Sequence, residues 1–199
     1  MSSIEARQSP QDLPGQIYTD DDLERMPSSE RLELIRGELV PMPHNSADHG
    51  QKIMRLSGPV FAYVDEHDLG ECFAAETRFT IEQNPDTTLG PDFAFISKER
   101  LQDIPPKGYL RMAPDLVVET RSPGDTRREF ALKISQWLNA GARIVWALDP
   151  ATRSLTIHRT GTPSRTLTVG ATLEGEDVLP GFTLPLQRIF RDVAGESKV

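Results

Sequence analysis

The stretch from Asp115 to Leu148 constrains the fold of this chain more than any other. Asp115 to Arg121 reads as a strand. Leu116, Val117 and Val118 stand in succession, so it is apolar on both faces and belongs inside a sheet. Ser122-Pro123-Gly124-Asp125 then turns the chain into a helix over Thr126–Ala140. Thr126 and Glu129 form a capping box at its start, and Phe130, Ile134, Trp137 and Leu138 form its buried stripe. Gly141 stands just past its end, as a C-terminal cap would. Ala142 to Leu148 is a second buried strand. A strand, a capped helix and a strand in close succession demand an α/β architecture.

The upstream elements extend this unit. Thr19 with Asp22 resembles a capping box and opens a short helix to about Met26, ended by Pro27-Ser28-Ser29. Arg31 to Met42 alternates around Arg36-Gly37 and predicts a hairpin, although Arg-Gly is a weaker turn signal than Asn-Gly. Ser46 to about His67 carries Ile53, Leu56, Val60, Phe61 and Val64 at helical spacing, with Pro59 predicted to kink or split the helix. Glu71 to Glu82 reads as one strand, with Phe73, Ala75, Thr77, Phe79 and Ile81 on one face. A turn at Asn84-Pro85-Asp86 leads to a strand over Asp92–Ile96, and Ser97 to Arg111 reads as a short helix and a Pro-Pro-Lys-Gly loop. The order through Leu148 is helix, strand, strand, strand, helix, strand. Beyond it, Ser154–Arg159 and Arg165–Val169 are short β segments between Gly and Pro turns.

The expected fold is therefore α/β: a mixed sheet flanked by the Ser46–His67 and Thr126–Ala140 helices, with an N-terminal hairpin and a β-rich C-terminal extension. The expected organisation is a polar leader over 1–15, one domain over 16–192 and a tail over 193–199. The only candidate apolar run, around Ile53 to Val64, is broken by Arg55, Ser57, Gly58 and Pro59, so no membrane span is expected. A single cysteine, Cys72, excludes an intramolecular disulfide and a thiolate zinc cluster and fits a reducing cytoplasm. It reads as a small buried hydrophobe.

Charge bears on function. At a formal −8 the chain lacks the basic face with which proteins grip long duplex DNA, so any such contact must come from local clusters. A carboxylate site loaded with a cation is nonetheless locally attractive to phosphate. No Gly-rich nucleotide loop, P-loop, Gly-x-Ser-x-Gly elbow or His-Glu-x-x-His occurs, and His44 and Asn45 are too isolated for a zinc-type nuclease.

Three polar residues fall where core is expected. Asp92 follows Pro91 at the start of a strand, Glu119 ends the apolar run Leu116–Val118, and Lys133 borders the Phe130/Ile134/Trp137 stripe. Carboxylates on two neighbouring strands converge readily on one Mg²⁺ or Mn²⁺, which wants hard oxygen ligands and keeps several waters. An ammonium beside them would orient a water and stabilise charge on phosphate. Taken singly, each has a plainer reading: a solvated strand-end carboxylate, or a lysine snorkelling to water. Spacing alone leaves both readings open. Asp115 is read as a residue at the start of its strand rather than a ligand.

The segments Arg31-Leu-Glu-Leu-Ile-Arg-Gly-Glu-Leu-Val40, Pro91-Asp-Phe-Ala-Phe95, Ala113-Pro-Asp-Leu-Val-Val-Glu119 and Leu132-Lys133 resemble the Uma family, the Uma-two restriction endonuclease domain. So do Gly141-Ala-Arg-Ile-Val-Trp-Ala-Leu-Asp-Pro150 and Leu179-Pro-Gly-Phe182. The likeness spans roughly Tyr18 to Phe190 and implies a PD-(D/E)XK nuclease core with a divalent metal and DNA as substrate; action on both strands of a duplex, and the edges of the β-rich C-terminal segment, make a homodimer the expected state. By position, Pro91-Asp92 corresponds to the "PD" and Glu119 to the "(D/E)", making Asp92 and Glu119 the metal ligands. Two residues after Glu119 stands Arg121, not Lys, so the resemblance gives Lys133 the water-orienting role and Arg121 a phosphate contact. It also gives one of Glu33 and Glu38, in the hairpin motif, an acidic ligand role or a bridge to Lys133; Glu38 is the choice. His49, in Asp48-His49-Gly50, matches a recurrent family histidine that is a base, a substrate contact or a helix cap.

Overall fold

The computed structural model describes residues 16–26, 31–42, 46–104 and 108–191. The expected leader over 1–15, the tail over 193–199, the helix stop at Pro27-Ser28-Ser29, residues His44 and Asn45, and most of the Pro-Pro-Lys-Gly loop lie outside them. Among the described residues three α-helices form, α1 (Asp20–Arg25), α2 (Ala47–Glu66) and α3 (Arg127–Asn139). Local chemistry explains their starts. Thr19 and Asp22 cap α1 reciprocally, Ser46 accepts from the His49 N–H at the head of α2, and Thr126 and Glu129 make the expected box on α3. Helix α2 is not split at Pro59 and runs as one element through it. Leu56, Val60 and Val64 are buried on either side of it, and that packing outweighs the one missing N–H.

The strands are β1 (Leu32–Ile35), β2 (Glu38–Pro41), β3 (Gly70–Ala74), β4 (Phe79–Glu82), β5 (Thr87–Leu89), β6 (Phe93–Ser97), β7 (Leu116–Thr120), β8 (Ile144–Asp149), β9 (Ser154–His158), β10 (Arg165–Thr168), β11 (Thr172–Glu174) and β12 (Thr183–Pro185). The main sheet has the order β10-β9-β8-β7-β6-β3. Only β7 and β8 are parallel in it, and α3 makes the crossover between them. A second sheet, β2-β1-β5-β4, carries the hairpin, and β11 pairs with β12.

Alternation along the central strands divides the core in two. Phe93, Phe95, Leu116, Val118, Ile144 and Trp146 face α2 and the C-terminal segment through Phe190. Ala94, Ile96, Val117, Val145 and Ala147 face the other way, packing with Ile134 and Trp137 of α3 and with Phe79 and Leu89 of the second sheet. The candidate residues Asp92 and Glu119 have the parity of this second face.

One element differs from the sequence reading. The run Glu71–Glu82 is two strands, β3 in the main sheet and β4 in the second, separated by a turn in which Glu76 takes the left-handed φ of +70°. The apolar alternation persists because Phe73 and Phe79 still meet, ring centroids 5.8 Å apart, inside the same core. The chain turns without breaking the pattern. Strand β5, between the Asn84-Pro85-Asp86 turn and Asp92, was not foreseen. The Arg36-Gly37 turn does form, with φ of +51° and +81°. It is held from outside: Arg36 N–H donates to Thr87 Oγ1 at 3.1 Å and Gly37 N–H to the Asp86 carbonyl at 2.8 Å. The φ of +81° at Gly37 favours glycine, and a Cβ there would also displace the exposed Ile17 side chain, whose Cγ2 it would meet at 2.5 Å.

Candidate active site

Glu119 stands near the end of β7 on the α3 face, 4% exposed. Its Oε1 accepts from Trp137 Nε1 at 2.8 Å and meets Lys133 Nζ at 3.2 Å. Trp137 and Lys133 lie four residues apart on α3, one turn of helix, which is why both reach the same oxygen. Lys133 Nζ also meets Glu33 Oε1 of β1 at 2.9 Å, and that oxygen accepts the Gly90 N–H at 3.1 Å. The lysine thus joins the main sheet to the hairpin sheet.

Asp92 precedes β6. The ladder pairing Phe93 with Val118, carried back one step, sets Asp92 opposite Glu119. Asp92 Oδ2 accepts the Thr120 N–H at 2.8 Å, and Oδ1 lies 3.0 Å from His49 Nε2. His49, in the first turn of α2, is buried, and its Nδ1 has no hydrogen-bond partner among the described residues. Glu33, His49, Asp92, Glu119, Thr120 and Lys133 all line one cavity of about 510 Å³.

The electrostatics follow from this packing. Burial drives the Glu119 carboxyl up to about 8; Asp92 and Glu33 push the same way, against Lys133 and the Trp137 N–H. Burial alone would lower the Lys133 ammonium, but Glu119 and Glu33 more than offset it and hold it above its usual range. The cluster therefore keeps a cation at pH 7 beside a carboxyl poised to exchange its proton.

The structure brings Asp92, Glu119, Lys133 and His49 together and leaves two expected residues out. Glu38 shares the hairpin face of Glu33 but pairs with Ile35 beside the turn, is exposed, and does not reach the cavity. The bridge to Lys133 is made by Glu33. A signal for this was available, since Glu33 is a carboxylate in mid-strand between Leu32 and Leu34 and Glu38 adjoins the turn. Arg121 follows β7, donates its N–H to the Leu148 carbonyl and turns its guanidinium to Asp149 at 3.4 Å, away from the cavity. Trp137, read only as core, also orients Glu119 through its indole N–H.

Two other residues are structural. Asp115 is 1% exposed, pairs with Arg100 at 3.1 Å and Arg143 at 3.7 Å, and accepts the Ser97 N–H. Cys72 is half-buried against the α2-side core, where burial, with help from Glu71, pushes its thiol up to about 12. No helix among the described residues is long and apolar enough to cross a membrane.

Residues 20–187 match the Uma2 family, described as "Putative restriction endonuclease". The fold also resembles the crystal structure of a "putative nuclease belonging to DUF820" from Anabaena variabilis. The TM-score is 0.74 at 18% identity, covering 86% of this chain and 97% of that one. At that identity the likeness speaks for the fold, and it agrees with the α/β order read from the sequence. None of the curated proteins matches.

Proposed function

The chain belongs to the Uma2 family, and from that premise we propose that it is a Mg²⁺- or Mn²⁺-dependent endonuclease hydrolysing DNA phosphodiester bonds. One observation carries the reading: two largely buried carboxylates, Asp92 held by His49 and Glu119 paired with the Lys133 ammonium, line a single cavity with that lysine. Buried acids left with less than full compensation in a cleft are candidates for proton or metal chemistry.

The donor set fits a hard divalent ion. It offers carboxylate oxygens and no thiolate, and Glu33, Asp92 and Glu119 outnumber the one lysine they surround. Among the described residues no three His, Cys, Asp or Glu are grouped so as to cage an ion. Mg²⁺ needs no such cage, because it binds through one or two carboxylates and keeps water in its other positions. Asp92 and Glu119 would hold it. Such an ion supplies Lewis-acid stabilisation of phosphoryl oxygen and an acidified water. Lys133 supplies a fixed positive charge for the phosphate oxygens as they gain charge, and positions the attacking water. Glu33 holds Lys133 in place, Trp137 orients Glu119, and His49 with the Thr120 N–H orients Asp92.

Two sites acting on both strands of a duplex support a homodimer, which sedimentation distinguishes from a 22.2 kDa monomer. The lone cysteine supports a reducing cytoplasm as its location.

The test is cleavage of supercoiled plasmid in Mg²⁺ or Mn²⁺, with single-stranded DNA and RNA in parallel. Lys133→Met should lower the rate about 10²–10³-fold. Calorimetry should show that it still binds metal and that Asp92→Asn does not. A different reading, an interaction domain that retains the fold, is favoured by the −8 charge and by the ion triad closing on itself through Lys133. It wins if the wild type cleaves none of the three substrates and Lys133→Met only stabilises the protein.

A further inference from the structure

Arg31 lines the same cavity, the one guanidinium among the described residues that does. It directly precedes β1, and its carbonyl accepts the Met42 N–H, which extends the hairpin ladder by one pair. Arg31 and Glu33 are two apart on an extended strand, so their side chains share a face. Arg31 therefore stands about 7 Å along the strand from the residue that holds Lys133.

At present the guanidinium is spent on Glu76, at 2.9 Å. The two partners differ: the Arg31 side chain is 19% exposed and that of Glu76 is 61% exposed. Glu76 sits in the left-handed turn between β3 and β4, with φ of +70°. That turn packs on Gly90, where an added Cβ would lie 3.6 Å from Glu76 Cα. The Gly90 N–H is the one donated to Glu33, two residues before Asp92. The Arg31–Glu76 pair is thus part of the rim above Asp92, Glu119 and Lys133.

We propose that Arg31 is a phosphate-binding residue of this site, with Glu76 occupying its guanidinium until a phosphate of the substrate strand next to the cleaved one displaces it. The inference rests on the nuclease reading and names a contact that reading does not contain. An ion pair with a solvent-exposed carboxylate is weak and readily exchanged. A phosphate offers the guanidinium two parallel charge-assisted bonds, which Lys cannot reproduce. Lys133 cannot substitute for Arg31, because Glu33 and Glu119 take two of its three donors and the one left cannot make the paired bonds of a guanidinium.

Equilibrium binding of fluorescein-labelled single-stranded and duplex oligonucleotides, followed by anisotropy in Ca²⁺ across a salt series, tests this. Arg31→Gln should weaken binding on the order of tenfold and reduce the slope of log K against log salt by about 0.7–0.9, the loss of one phosphate contact. Arg31→Lys should fall between. Glu76→Gln should bind tighter than wild type, which a merely structural ion pair would not produce. It also decides the matter if Arg31→Gln melts early. Wild-type affinity and slope in Arg31→Gln, unchanged or weaker binding in Glu76→Gln, or no oligonucleotide binding by wild type overturns the proposal. Arg31-dependent binding with no cleavage in Mg²⁺ would instead leave this inference standing and remove the nuclease reading.

Discussion

Strand β7 carries a buried acid at each end, and their surroundings have opposite logic. Asp115, just before the strand, faces two arginines, accepts a backbone N–H and does not line the site cavity. Glu119, four residues on, receives an indole N–H and a lysine it must share with Glu33, and it opens on the cavity that also holds Asp92. The first acid faces two arginines, whereas burial drives the second up to about 8, with Asp92 and Glu33 pushing the same way against Lys133. Burial of a carboxylate is therefore no sign of function by itself. The cavity it shares with a second carboxylate and a lysine is.

The sharpest way to break this comparison is to remove Asp115. Asp115→Ala removes the carboxylate that joins Arg100, Arg143 and the Ser97 N–H at the junction of β6, β7 and β8, leaving Arg143 only Asp177 and Arg100 only the Ala113 carbonyl. A loss of about 3–5 kcal/mol in unfolding free energy is expected, read from urea denaturation. Any residual protein that folds should keep its cleavage rate. If Asp115→Ala is as stable as wild type, the two ends of β7 do not differ as described.

Glu119→Gln probes the other end, with the opposite signature. The amide keeps an oxygen for Trp137 and Lys133 but removes the charge deficit, so the melting temperature should hold or rise. Plasmid cleavage should fall about 10²–10³-fold, which is about 3–4 kcal/mol of barrier. A variant that loses stability and activity together would make Glu119 a second Asp115.

Acidity gives a third, smaller contrast. The folded chain keeps the Glu119 proton up to about pH 8, whereas an unfolded glutamate releases it near 4.5. Folding therefore takes up a proton between these values, and through Glu119 stability falls as pH rises from about 4.5 to about 8. The slope from one such group is at most about 1.4 kcal/mol per pH unit. Subtracting the Glu119→Gln stability profile from that of wild type should isolate it. A difference profile flat across that window would mean that Glu119 titrates as an ordinary carboxyl.

The same contrast explains what could be read from the sequence. Helix α3 was legible because its cap, stripe and terminal glycine lie within one short segment, and Glu119 and Lys133 fell on elements of that unit. The break at Glu76 was not, because Phe73 and Phe79 serve the same core from two sheets and keep the alternation intact. That Glu33 and not Glu38 meets Lys133 is hidden from the sequence for a related reason. Both lie on one hairpin face, and only the approach of α3 decides which of them Lys133 meets. Arg121 has the parity of Glu119, yet Asp149 at the end of parallel β8 captures it. Parity along a strand is local information. Which neighbour answers a charge is not.

The smallest expected effect belongs to the residues that resemblance placed in the site and the structure leaves outside it. Glu38 is exposed beside a turn, so Glu38→Ala should change stability by no more than about 0.5 kcal/mol and leave cleavage unaltered. Glu33→Gln, on the same face, should slow cleavage, because it releases Lys133 from one of its two anchors while preserving strand and length. Arg121→Met should likewise spare the rate of the bound substrate, since its guanidinium points to Asp149. If Glu38→Ala or Arg121→Met slows single-turnover cleavage as much as Glu33→Gln does, the hairpin or the β7–β8 end rearranges around substrate. The cavity seen without substrate would then not be the one in which the chemistry occurs. If only Glu33→Gln does so, the division between a compensated and an uncompensated charge extends from the two ends of β7 to the whole rim of the site.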